Sequence, residues 1–146
     1  MVTSYLRLQM PRRKYNRRPR RVCATEESKA KALQVAWHSA TDKAGTLKLS
    51  EARSIVADPP LCPYCQIKIP YQDISIDHVQ PRSRGGTSDP ENLVFCDRIC
   101  NLAKGNLTGP EFTALMEFLS RYLIMRASLL QRLVAAGRMY RRYGRR

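Results

Sequence analysis

Hydrophobic spacing changes twice along the chain. In residues 25–40, TEESKAKALQVAWHSA, apolar positions recur three and four apart, so Ala30, Leu33, Trp37 and Ala40 share one helical face. Thr25 stands where an N-cap hydroxyl belongs, and Glu26 and Glu27 fall in the first turn, where the helix dipole favours carboxylates. Gly45 closes this region. SEARSIVA, from Ser50, predicts a second short helix, stopped by Asp58-Pro59-Pro60. The spacing then shortens. Residues 61–69, LCPYCQIKI, predict a turn followed by a short strand. In 73–79, DISIDHV, alternation places Ile74, Ile76 and His78 on one side of a strand. Residues 80–91 hold two prolines and two glycines and read as a loop. NLVFC (92–96) is a second short apolar run, and NLAKGN after Cys100 suggests one or two helical turns.

The 3.6-residue period returns at Thr108-Gly-Pro-Glu111, a capping box with proline in the first turn. The helix it starts is predicted to run from Pro110 to Ala136, roughly 40 Å, with Gly137 as its stop. Phe112, Leu115, Met116, Leu119, Tyr122, Leu123, Leu130, Leu133 and Val134 line one face. The far half of such a helix extends beyond what the small middle of the chain can cover. That leaves two readings of the stripe, core or a contact with a second copy or another protein.

Charge divides the 146 residues differently. Residues 1–21 carry eight basic side chains and no acid, and residues 121–146 carry eight more and no acid, whereas 22–120 are nearly neutral at −2. A neutral middle between two arginine-rich arms points to a polyanion partner, because guanidinium groups make paired contacts with phosphate. Arg12, Arg13, Lys14, Arg17, Arg18, Arg141 and Arg142 are the arm residues expected to touch it. No apolar run is long enough for a membrane span, and the N-terminus lacks the order of a secretory signal. The expected location is intracellular, cytoplasmic or nucleoid-associated, although an acid-free arginine-rich arm is also the composition of a mitochondrial-type targeting segment.

Five cysteines in a chain without a secretory signal favour metal over disulfides. Cys62-x-x-Cys65 and Cys96-x-x-x-Cys100 are two short-spaced pairs about thirty residues apart, and two such turns facing each other form a tetrahedral zinc site. Four thiolates leave no open position, so this zinc is structural. Cys23 lies outside both pairs. His38, beside Trp37 on the first helix, is expected to be structural.

Chemistry needs another centre, and the residues between the pairs offer one. The order Asp77, His78, Pro81, Ser83, Gly85, Gly86, Asn92, Leu93, Cys100, Asn101, Lys104, Gly105 resembles the core of the HNH endonucleases, and with Cys62 and Cys65 the likeness spans about a third of the chain. The resemblance implies an α+β fold: a small ββα-metal core with structural zinc, flanked by N-terminal helices and a long C-terminal helix. It implies DNA as substrate and hydrolysis of a phosphodiester bond. His78 would be the general base. Asp77 and Asn101 would hold a catalytic divalent cation, Mg²⁺ or Mn²⁺, through oxygen. Asn92 would hold the loop and orient His78. Arg82, Arg84 and Lys104 would meet phosphates, each with an ordinary solvated surface residue as the alternative. Asn101 in the last position makes this an H-N-N variant. Counted from Asn92, the family's spacing puts Asp97 in a zinc-ligand place and Cys96 one residue early. Thiolate matches three other thiolates better, so Cys96 is expected and Asp97 is the alternative.

The chain therefore divides into a basic arm (1–22), a helical segment (23–60), the HNH-like core with its zinc knuckles (61–107), a long helix (108–137) and a basic tail (138–146). A non-catalytic zinc module that binds DNA or RNA is the rival reading, and a subunit of a larger nucleoprotein machine, of phage or mobile-element type, is another.

Overall fold

The computed structural model describes residues 25–42 and 46–143. The arm with Arg12, Arg13, Lys14, Arg17 and Arg18, together with Cys23 and Gly45, lies outside the described residues, as do the side chains of Arg141 and Arg142.

Helix α1 (Glu26–Ala40) begins as its sequence predicts. Thr25 Oγ1 accepts the Ser28 N–H at 3.2 Å, and Ala30 and Leu33 are buried. Helix α2 (Leu49–Ala57) is started by Glu51, whose carboxylate accepts the Lys48 N–H at 2.8 Å, and it buries Ala52 and Val56. The two helices pack on each other around Leu47. The short strand predicted after the Cys62 turn does not form; a single bridge, Leu61 to Lys68, stands in its place. The backbone there closes on itself instead. Cys62 N–H donates to Ile67 O at 2.9 Å, and Gln66 N–H donates to Cys62 O at 2.8 Å, with Gln66 at φ +57°.

Strands β1 (Ile74–His78) and β2 (Leu93–Asp97) pair antiparallel, in a register running from Ile74 opposite Asp97 to His78 opposite Leu93. Alternation then gives the hairpin two unlike faces. Ser75, Asp77, Val94 and Cys96 look towards a core of cysteines and C-terminal helices. Ile74, Ile76, His78 and Phe95 look the other way, and Phe95 stacks on Trp37 of α1 with ring centroids 4.9 Å apart. Helix α3 (Arg98–Lys104) follows β2 directly and completes the ββα unit.

Helix α4 (Gly109–Ser120) has the predicted capping box: Glu111 N–H donates to Thr108 Oγ1 at 3.3 Å, and Thr108 N–H donates to Glu111 Oε2 at 2.7 Å. The expected single helix does not form. It breaks at Arg121–Tyr122, where i to i−3 bonds tighten the last turn, and α5 (Leu123–Tyr143) starts afresh. The break lets α5 pack on α3, which buries Leu130 and Val134 in the same core as Phe112, Met116 and Leu119. One straight helix would have left them uncovered. Gly137 is not a stop either. It lies inside α5 where the helix crosses α3, and a Cβ there would sit 2.2 Å from Leu102 O. The basic stretch from Arg138 thus begins as helix. Tyr122, expected on the buried stripe, is 49% exposed and stacks on Phe118. No helix among the described residues is long and apolar enough to cross a membrane.

Candidate active site and metal centre

Two clusters of chemistry flank the hairpin. On the core side, the turn after Leu61 and the first turn of α3 bring Cys62, Cys65 and Cys100 together, with all three sulfurs within 4.8 Å of one another and buried. Hydrogen bonds from Cys100 and Cys65 hold the Cys62 thiol far below its usual range, helped by the Asp97 N–H at 3.3 Å. The contact with Cys62 pushes Cys100 up in turn. A buried cluster of three sulfurs in mutual contact suits a soft cation. The donor set fits zinc.

Cys96 is not brought into that group. It is fully buried, and its thiol is raised by burial first and by the Asp77 carboxylate second. Asp97 is the N-cap of α3, with Oδ1 accepting the Ile99 N–H at 2.7 Å.

Asp77 points into the same interior. Tyr64 donates its hydroxyl to Oδ2 at 2.7 Å, and the Lys104 ammonium lies 3.3 Å from Oδ1 and 3.2 Å from Oδ2. Lys104 also donates to the His78 carbonyl at 2.9 Å. Burial pushes Asp77 above the usual carboxylate range, with Tyr64 and Lys104 pulling it back. Lys104 does not take the surface place expected of a phosphate ligand; it is 2% exposed, and its ammonium is committed to the interior. Asn101, on α3, donates its amide to Ser75 Oγ and to Ile76 O, both at 3.0 Å, and so clamps helix to strand.

These bonds bear on the expected catalytic cation. Asp77 already accepts from a hydroxyl and a full positive charge, and it lies on the opposite face of β1 from His78. In this arrangement the Asp77–Asn101 pair does not fit Mg²⁺ or Mn²⁺: an ion at Asp77 would have to displace the Lys104 ammonium.

His78 ends β1 on the face turned to α1. Its Nε2 is buried without a hydrogen-bond partner among the described residues. Burial lowers its pKa, and so does the Arg82 charge; Asp77 opposes them. Both lowering influences favour the neutral imidazole. Arg82 faces Asp42 at 3.6 Å. The loop between the strands is held by Asn92, whose Nδ2 donates to Gln80 O at 3.0 Å and Thr87 O at 2.7 Å while Oδ1 accepts the Gln80 N–H at 2.8 Å. Gly86 permits this closure, since a Cβ there would meet Gln80 O at 1.9 Å. Arg84 is tied to Glu111 at the start of α4. Asn92 thus ties Gln80 and Thr87, at the two ends of the loop, to each other.

Tyr64 carries no signal in the sequence. Its position between two cysteines does not point to a partner thirteen residues on. The same holds for Arg126, buried on α5 with Nε and Nη1 unpartnered among the described residues. His38, expected to be structural, has a buried Nε2 that likewise lacks a partner there.

No curated protein and no solved structure matches the chain. The family model for the HNH endonuclease matches residues 62–107, from the first cysteine of the knuckle to the loop before α4. Over that segment, about a third of the chain, the sequence is similar to the HNH endonuclease family.

Proposed function

We propose that this chain is an endonuclease that hydrolyses DNA phosphodiester bonds with His78 as general base. One observation carries the reading: an imidazole whose buried Nε2 has no partner among the described residues stands beside the arginine-bearing loop of an HNH-like segment. A neutral imidazole with its proton on Nδ1 can take a proton from water at Nε2. The water oxygen would bond to phosphorus as the bond to the 3′ oxygen breaks. Arg82 would meet the phosphate, exchanging Asp42 for it. Asn92 fixes the loop on which Arg82 and Arg84 are carried.

Zinc, held by Cys62, Cys65, Cys100 and a fourth donor, would contribute folding energy to the knuckle and α3. The arms, with Arg12, Arg13, Lys14, Arg17, Arg18, Arg141 and Arg142, would supply affinity without reading sequence.

A supercoiled-plasmid nicking assay, run with and without Mg²⁺ or Mn²⁺, tests the catalytic assignment. Wild type should convert plasmid and His78→Ala should not, a loss of at least about 100-fold for removal of a general base. Equal conversion by both proteins overturns it. A second reading is favoured by the Asp77–Lys104 pair, which fills the place where a cation ligand was expected: a zinc module that binds DNA or RNA without cutting it. Tight binding by a wild type that cleaves nothing would select that reading.

A further inference from the structure

Between residues 25 and 120 every arginine meets a carboxylate: Arg53 pairs with Glu27, Arg82 with Asp42, Arg84 with Glu111 and Arg98 with Asp73. That pattern stops at the elbow between α4 and α5. Arg121, Arg126 and Arg132 form no ion pair among the described residues, and residues 118–146 hold no Asp or Glu to supply one. The same elbow exposes rings. Phe118 is 57% exposed, and its ring centroid lies 5.1 Å from that of Tyr122, which is equally bare. Met125 and Leu129 continue the exposed row along α5, since residues three and four apart share a helical face. Arginines border the row. Arg121 stands at the break, Arg132 two turns beyond Met125, and Arg126 between this row and the buried one of Leu130 and Val134.

Proteins seldom leave such a strip bare without a use, and the charges select its occupant. A second copy would set α5 against α5, and α5 carries five arginines and no acid. The strip also changes direction at Arg121–Tyr122, so a straight partner helix meets only part of it. A flexible polyanion that carries flat apolar groups follows the bend and answers both features, phosphate to guanidinium and base to ring. Within a duplex each base face is covered by its neighbours, so rings at a protein surface stack on unpaired bases.

We infer that Phe118 and Tyr122 form a stacking platform for the unpaired bases of a single-stranded nucleic acid, whose phosphates meet Arg121 and Arg132. This rests on the nucleic-acid reading above and adds to it a preference for single strands.

Anisotropy titrations of the full chain, without added Mg²⁺ or Mn²⁺, compare three probes: a single-stranded DNA oligonucleotide, an abasic sugar-phosphate strand of the same length, and the matching duplex. The base-bearing strand should bind at least about fivefold more tightly than the abasic one, the contribution of a single stacked base. Phe118→Leu combined with Tyr122→Leu keeps the strip apolar and removes both rings. It should bring the base-bearing strand down to the abasic level and leave duplex binding unchanged. A 2-aminopurine placed in the strand should lose fluorescence on the wild type and keep it on the double variant. Equal wild-type affinity for the two strands overturns the inference without any variant, and so does a preference that survives in the double variant. Self-association that the double variant abolishes, with no strand preference in the wild type, gives the strip to a second copy and overturns it too. A wild type that binds none of the three probes removes the nucleic-acid reading and this inference with it, whereas equal binding to all three leaves that reading standing and overturns this one alone.

Discussion

Lys104 and Asp77 bury opposite charges in one interior, and neither is tolerable there without the other. Lys104→Met strands the Asp77 carboxylate beside Tyr64 and is expected to lower the unfolding free energy by about 3–5 kcal/mol. Adding Asp77→Asn should return part of that loss. Urea unfolding of the single and double variants measures the coupling, and simple addition of the two losses would show that the pair is independent. At His78 the shift runs downward from the usual 6.5, through burial and then Arg82. A general base works deprotonated, so cleavage should rise with pH through a midpoint below 6.5 and then level off. Removing the repelling charge in Arg82→Ala should move that midpoint up. A wild-type pH–rate profile centred above 6.5 contradicts the assignment.

At the scale of elements, the crossing of α5 over α3 depends on Gly137. With a Cβ 2.2 Å from the Leu102 carbonyl, Gly137→Ala must push the helices apart. The expected cost is about 1–3 kcal/mol, as for other overpacked sites, read as a lower urea midpoint. Alanine is the better helix former, so an unchanged or higher midpoint would show that the crossing yields. Gly137 also shows where sequence reading fails. A glycine near a helix end serves as a stop or as a place of close approach, and only the partner helix distinguishes the two. Caps were legible at Thr25 and Thr108 because hydroxyl, acid and apolar run lie within one turn. The ββα order was legible through Asp77, His78, Asn92 and the cysteine spacing. The Lys104–Asp77 pair was not, because its members are 27 residues apart and each is an ordinary surface residue on its own. The break at Arg121–Tyr122 was hidden for a related reason: the apolar stripe continues across it, and only the turn back onto α3 explains why the chain bends.

Along the whole chain, two basic arms flank a stretch that is nearly neutral from 22 to 120. If the arms hold the backbone of DNA, log affinity should fall linearly with log salt. Deleting residues 1–21 should then flatten that line by about 0.9 for each phosphate the arm neutralises. An unchanged slope in filter-binding or anisotropy titrations would mean that the arm does not touch the duplex. Between the arms, a hairpin only two strands wide separates two cores: sulfurs, Asp77 and Lys104 on one side, His78 and the helical pair α1–α2 on the other. The imidazole and the thiols thus answer to different halves of the protein. Drift in the helical pair can retune the histidine's surroundings while the cysteine-lined half keeps its shape, so the half suited to an ion and the half around the imidazole are free to diverge at separate rates.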